Sequence, residues 1–521
     1  MNFPVRLAML VCAWAATTMA ADFDLVLRHG RVIDGTGAPA RPADVGVKDG
    51  RITAVGIIPE KGAQELEVAG LVIAPGFIDV HTHAEDIDEL PRGENFLRMG
   101  VTTLVLGNCG SSVADVGAFF RRLAATNISP NVATLIGHGT VRSRAMGGSF
   151  DRKPTAKELA AMRETVERAM QDGALGLSTG LIYLPGTFAK TDEIVALAKV
   201  VARHDGLYAS HIRSEGAEIF KALDEVFTVA RQGGLPAHVS HLKLSGQANW
   251  GQTEKVLAAL DKARARGLRI TQDQYAYTAS STSLGTLIPK KFREGGKFND
   301  HYADPKTRAE MIRAMKSKRE LGGAADYSYA VIASCRHDAS MNGLNLREAA
   351  RKLRSSDTLE EQVATILEIQ KNGGASAVFH GINEEDVQKF MRHTNTMFAS
   401  DSGVRRFGEG VPHPRGYGNS ARFLARYVQE LGVLPLEEAV RRMTALPATT
   451  FRLKDRGVVR EGAWADLAVF DPAQIRDHAT FQSPHQYATG FRHVLVNGVE
   501  VIRRDEHTGA RPGRTLIRQS P

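Results

Sequence analysis

From residue 77 onward, short runs of apolar and β-branched residues alternate with longer amphipathic stretches, and this alternation constrains the fold more than any other feature. The short runs lie at 77–80, 101–106, 132–136, 174–178, 207–210, 237–240, 268–272 and 396–400. Between them, 156–171, 192–204, 215–232 and 253–266 carry apolar residues at helical spacing. Strands separated by helices pair in parallel, and eight of them suffice for an α/β fold of the (β/α)8 TIM-barrel type. The interval 283–395 is too long for one crossover, so it reads as an insertion before the eighth strand, forming part of the wall or lid of a site.

The two chain ends follow another period. Segments 23–32, 44–47 and 51–55, and again 465–470, 493–496 and 499–502, are short strands with Asp/Gly turns and no helical repeat. Asn497-Gly498 between the last two is a strong hairpin signal. These segments predict one small β-sandwich made of 21–72 and 453–521, flanking a barrel domain at 73–452. At 521 residues the chain is too long for a single small core, which fits this division.

Residues 1–20 stand apart. Arg6 precedes an apolar run at 7–16 and a small-residue exit, Thr18-Met19-Ala20, the pattern of a cleaved secretory signal peptide. A periplasmic or secreted protein is expected. Cys12 lies inside the apolar run and lacks the small residue before it that a lipid-anchored leader wants. No later segment reaches the ~20 uninterrupted apolar residues of a membrane span. The net charge of +8 is spread along the chain, with no basic run interleaved with aromatics, so a nucleic-acid partner is not expected. A small-molecule partner is, and nothing in the sequence specifies an oligomeric state.

The chemistry gathers where the apolar runs stop. His81 and His83 follow the first run at i and i+2, facing the same way if the strand continues. Cys109 follows the second within Gly107-Asn108-Cys109-Gly110, His211 ends the fifth, His241 the sixth and Asp401 the eighth. A single strand-end histidine is more often a packed or surface residue than a ligand. All of them on the C-terminal face of one barrel, where active sites of this fold sit, is a different matter. Cys109, His211 and His241 make a three-ligand set with an open fourth position, as catalytic zinc requires. Asp401 is then free to act as a base, and His81 and His83 can hold a second ion with Cys109 as the bridge. The competing reading of Cys109 is a disulfide with Cys335, the other cysteine beyond the leader. The fourth run carries no lysine that could supply a bridging carbamate.

Taken together, GFIDVHTH, GVTTLVLGNCG, GALGLSTGLIYLPG, SHIRSEG, VSHLKLSG, DQYAYTASST, FASDSG and HPRGYGN resemble the amidohydrolase superfamily and, within it, the D-aminoacylase (N-acyl-D-amino-acid deacylase) family. The resemblance runs from about residue 22 to the C-terminus. It implies a distorted barrel with a β-sandwich from both ends and a late insertion. It also implies one tightly held zinc on Cys109, His211 and His241, a weaker second position at His81 and His83, and Asp401 as catalytic acid/base. Tyr183, Lys243, Tyr275, Ser281 and Arg415 would line the substrate pocket and hold the amino-acid carboxylate. The implied activity is hydrolysis of N-acyl-D-amino acids to a carboxylate and a free D-amino acid. Alternatives are a dipeptidase for L-Xaa-D-Xaa substrates and, less readily without the bridging lysine, a dihydroorotase- or hydantoinase-type cyclic-amide hydrolase. Two departures stand out: Ser-Asp-Ser-Gly at 400–403 where many relatives read Ser-Asp-Gly, with a longer stretch to His413, and Tyr-Ala-Tyr at 275–277 in place of Tyr-Pro-Tyr.

Overall fold

A computed structural model describes residues 22–321 and 323–518; the expected signal peptide lies outside the described residues. Eight parallel strands form the barrel: Phe77–Asp79, Val101–Leu106, a third in two pieces at Asn131–Thr134 and Ile136–Gly137, then Gly176–Gly180, Leu207–His211, Ala237–Val239, Ile270–Gln274 and Thr396–Phe398. The ladder is broken into two arcs, one of strands one to three and one running from the second piece of strand three to strand eight. The first break is at Leu135, whose N–H donates to Leu106 while the neighbouring Thr134 carbonyl accepts from Leu175. Strand three thus serves strand two with its first half and strand four with its second. Gly107 makes this approach feasible: it has φ +76°, and a Cβ there would lie 2.1 Å from the Leu135 carbonyl oxygen.

The second break is the seam between strands eight and one. There the Asp79 carboxylate accepts from the Ser400 N–H at 3.0 Å, Asp401 N–H donates to His81 O at 2.9 Å, and His83 N–H donates to Ser402 O at 2.8 Å. The barrel closes through residues just past the strand ends, the same stretch that carries two histidines and the aspartate.

Strands four and seven lie two residues later than their apolar runs. Hydrophobicity marks what is buried against the helices, while pairing continues into polar residues, Thr179 and Asp273 among them, that approach the barrel mouth. Outside the strands, Ala156–Gln171 begins on a capping box in which the Thr155 side chain accepts from Glu158 N–H, and it buries Met162, Val166, Ala169 and Met170. The helix expected at 215–232 runs instead over Ile219–Gly233, leaving Glu215 in the loop after strand five.

The insertion has its own core, with Ile288, Phe292, Met315, Leu346 and Ile366 all buried in one cluster. Its antiparallel sheet has Ala375–His380 in the middle, flanked by Ala279–Ser283 and Ala330–Cys335. The first of these strands starts four residues ahead of the expected boundary at 283, because the polar, β-branched run Ser280-Ser281-Thr282 carries no apolar alternation to announce a strand.

Both chain ends join one nine-stranded sheet, tied together where Val72–Pro75 pairs antiparallel with Leu467–Phe470. Val72–Pro75 overruns the expected boundary at 72. A core of Leu27, Val45, Ile52, Ile73, Leu467 and Leu495 draws on both ends. Asn497 and Gly498 both adopt positive φ, 49° and 81°, as a two-residue hairpin turn between Phe491–Val496 and Val499–Arg503 requires. Among the described residues no helix is long and apolar enough to cross a membrane.

Candidate metal centre

Three residues at strand ends leave the ladder in left-handed backbone conformation: Cys109 at φ 52°, His241 at 35° and Asp401 at 52°. Such backbone is costly for residues with a Cβ and persists where the surroundings over-determine it, characteristically at functional sites. Here the turn carries each side chain into the mouth of the barrel. Cys109 Sγ lies 3.6 Å from His211 Nδ1 and 3.6 Å from His241 Nε2. Zinc bonds of about 2.3 Å to sulfur and 2.0–2.1 Å to nitrogen at tetrahedral angles would set those separations at roughly 3.5 Å. The donor set therefore fits a tetrahedral zinc with one position open to water or substrate.

The histidines are oriented for this. His241 Nδ1 lies 2.9 Å from Glu215 Oε1, so its N–H donates to that carboxylate and the Nε2 lone pair faces Cys109. Burial and the neighbouring His241 keep the pKa of His211 below its ordinary value, and hence keep it neutral, as a metal ligand must be. Burial opposes the charge of Glu215, but Lys243, His211 and His241 outweigh it and hold the carboxyl below the usual range. Burial likewise opposes ionisation of Cys109, yet the surrounding imidazoles, His81 foremost, pull the thiol well below its ordinary pKa. A thiolate among converging imidazoles is what a divalent cation would bind.

On the other side, His81 Nε2 lies 3.2 Å from Cys109 Sγ and 3.5 Å from Asp401 Oδ1, and His83 Nε2 lies 3.2 Å from the same carboxylate oxygen. The donor atoms of His81, His83 and Cys109 form a second group able to hold a metal, and Cys109 belongs to both groups. Asp401 Oδ2 is 2.8 Å from Arg415 Nη1. Burial opposes the charge on Asp401, but Arg415, His81 and His241 keep it well below the usual carboxylate range, so it is ionised. Both Cys109 and Cys335 are free, which removes the disulfide alternative.

A cleft of about 930 Å³ opens over this cluster, lined by His83, Cys109, Tyr183, Ser281, Asp401 and Arg415 among others. The Tyr183 hydroxyl accepts from Thr282 Oγ1 at 3.1 Å, which leaves its own proton free to donate. Arg415 lies 4.6 Å from the centre of the Tyr275 ring and donates to the Ser281 carbonyl at 3.3 Å, while its Nε is buried without a partner. Tyr275 is buried beside it, its hydroxyl also unpartnered. Lys243 is placed differently from the expectation that it reaches substrate: its ammonium sits behind His241, 2.5 Å from Glu215 Oε1 and 2.9 Å from the His241 carbonyl oxygen, outside the lining of the cleft. Alternation put its side chain on the face of His241, and the nearby carboxylate then captured it.

Two acids that the sequence reading did not single out support the site. Glu215, four residues after His211, was absorbed into a helical pattern. Asp273 accepts from His241 N–H at 2.8 Å and from His238 at 2.6 Å and lies 3.5 Å from His81 Nδ1, bracing two strand ends at once. The one available signal was a carboxylate inside each motif, SHIRSEG and DQYAYTASST.

Compared with known proteins, the chain matches the amidohydrolase family over residues 64–502. It is 35% identical over 525 residues to a D-aminoacylase of Alcaligenes xylosoxydans xylosoxydans, covering 95% of this chain and 98% of the relative. To an N-acyl-D-glutamate deacylase of the same organism it is 36% identical over 526 residues, covering 96% and 98%. Among solved structures, an N-acyl-D-glutamate deacylase from Bordetella bronchiseptica, complexed with zinc and a phosphonate that mimics the tetrahedral intermediate, matches with a TM-score of 0.82 at 35% identity, over 95% of this chain and 99% of that one.

Proposed function

The chain belongs to the amidohydrolase family, and from that premise we propose that its metal centre hydrolyses N-acyl-D-amino acids to a carboxylate and a free D-amino acid. The observation that carries this reading is the convergence of Cys109, His211 and His241 at tetrahedral ligand spacing beside Asp401. Cys109, His211 and His241 would hold zinc, with His81 and His83 as a second, weaker position. Bound there, zinc lowers the pKa of water toward ~7 and polarises the amide carbonyl.

The chain's own residues supply the remaining steps. Asp401, ionised and in the cleft, accepts the proton of the attacking water and returns it to the amide nitrogen as the C–N bond breaks. Tyr183 offers a phenolic proton to a substrate oxygen. Arg415, with Nε unpartnered and Nη1 against Asp401, holds the α-carboxylate by charge-assisted hydrogen bonds and so orients the amide over the base. Lys243 acts one layer back: its ammonium holds Glu215, the carboxylate that in turn positions the His241 imidazole.

The identities to a general deacylase and to a glutamate deacylase differ by one point, so overall similarity does not select a side chain. The test is amine release by the zinc-loaded protein from matched N-acetyl-D- and N-acetyl-L-amino acids and from L-Xaa-D-Xaa dipeptides. Cleavage confined to N-acetyl-D substrates is expected; equal cleavage of the L series would overturn the stereochemical assignment, and preference for dipeptides would make it a dipeptidase. The leader at 1–20 supports export to the periplasm or medium, checked by the N-terminal mass of the protein recovered from those fractions.

A further inference from the structure

Beyond the metal cleft a second cavity of about 380 Å³ opens on the same face of the barrel. Its floor is the loop after strand four, with Leu181 and Thr187, and its roof is the start of the insertion, with Lys290 and Arg293. It shares one residue with the metal cleft, Thr282, whose hydroxyl donates to Tyr183.

The lining carries three cations and no carboxylate. Arg213 is neutralised by two 2.9 Å bonds to Glu225. Lys290 meets the Thr187 carbonyl at 3.4 Å and the face of the Phe188 ring at 5.4 Å, with no carboxylate partner among the described residues. Arg293 has nothing: among the described residues its side chain makes no hydrogen bond and no ion pair, and its Nε is buried and unpartnered. Burial, with no opposing charge, lowers its pKa from the ordinary value. Arg293 is half-buried, and a partly desolvated guanidinium without an anion is a cost to the fold, while its fork suits a carboxylate bidentately. A cavity of this size accommodates a small ligand group.

We propose that this cavity is an oxyanion subsite in which Arg293, assisted by Lys290, takes a second carboxylate of the substrate, reached from the metal cleft past Thr282. The proposal rests on the deacylase reading and extends it to doubly acidic substrates. The second carboxylate has two sources, the far end of a dicarboxylic acyl group or an acidic D-side chain, and matched substrates separate them.

The experiment compares the zinc-loaded wild type with Arg293→Met and Arg293→Lys on two pairs, N-succinyl-D-leucine against its terminal amide and N-acetyl-D-glutamate against N-acetyl-D-glutamine. Arg293→Met is expected to lower kcat/KM at least tenfold for the acidic member of one pair while leaving its amide within twofold, with Arg293→Lys recovering part of the loss. The affected pair names the source, and the amide substrates report whether each variant folds. Equal behaviour of acid and amide in both pairs would overturn the subsite. Should the wild type cleave no N-acyl-D-amino acid, the deacylase reading fails separately and glutarate binding by calorimetry decides: weaker binding in Arg293→Met supports the subsite, identical binding refutes it.

Discussion

On one side of the metal centre, His211 and His241 leave strands that are paired almost to the ligand itself: His211 is in register with Gly180, and Ser240 N–H still donates to Ser210 O at 2.9 Å. On the other, His81, His83 and Asp401 stand at the seam between strands eight and one, where the ladder has given way to a Thr82–Ser402 bridge and to the Asp79 carboxylate. The paired side orients His241 through Glu215, which is itself held by Lys243. The seam side turns its charges on one another, with both histidines and Arg415 gathered around Asp401. A donor whose lone pair is already aimed at the site, as in His211 and His241, binds metal at little cost in reorganisation, and in His241 the far nitrogen is also satisfied. A donor engaged by a carboxylate must first be released. The paired side is thus the one built to bind, and the seam side the one built to move protons.

Three substitutions test this division. Cys109 belongs to both halves, so Cys109→Ala should erase the contrast: metal content by elemental analysis falls to background and turnover is lost. A variant that keeps one equivalent of zinc would mean His211 and His241 suffice without the thiolate. Asp401→Asn strikes the seam alone, and zinc should stay bound while kcat falls by about 10²- to 10⁴-fold, the range of a lost general base. Near-normal turnover with zinc bound would remove Asp401 from the role of base. Glu215→Gln strikes the paired side alone and should weaken zinc affinity by about 10–100-fold, the usual effect of losing a carboxylate behind a ligand histidine. Activity should return when excess zinc is added, and a failure to do so would give Glu215 a part in the chemistry itself.

Where apolar runs end is visible in a sequence because burial imposes a local period, so the barrel order and the strand-end placement of His81, Cys109, His211, His241 and Asp401 could be read directly. Leu135, where the ladder breaks, is an ordinary apolar residue; the close approach there is permitted by Gly107, just past the end of the neighbouring strand. The strand at Ala279–Ser283, which brings Ser281 and Thr282 to the cleft, has too little apolar content to stand out. Glu215 was hidden for the opposite reason: it continues a good helical period that the chain begins only at Ile219.

What the sequence determined by itself was the set of chemical groups and their order along the chain, because periods of two and 3.6 residues are local properties. Only the tertiary structure decided which charge answers which: Lys243 goes to Glu215 rather than to substrate, Arg415 lies against Asp401, and Arg293 is left without an anion among the described residues. Those pairings depend on low-dielectric surroundings assembled from distant segments, where a few ångströms decide whether a buried charge is stabilised or left unmatched.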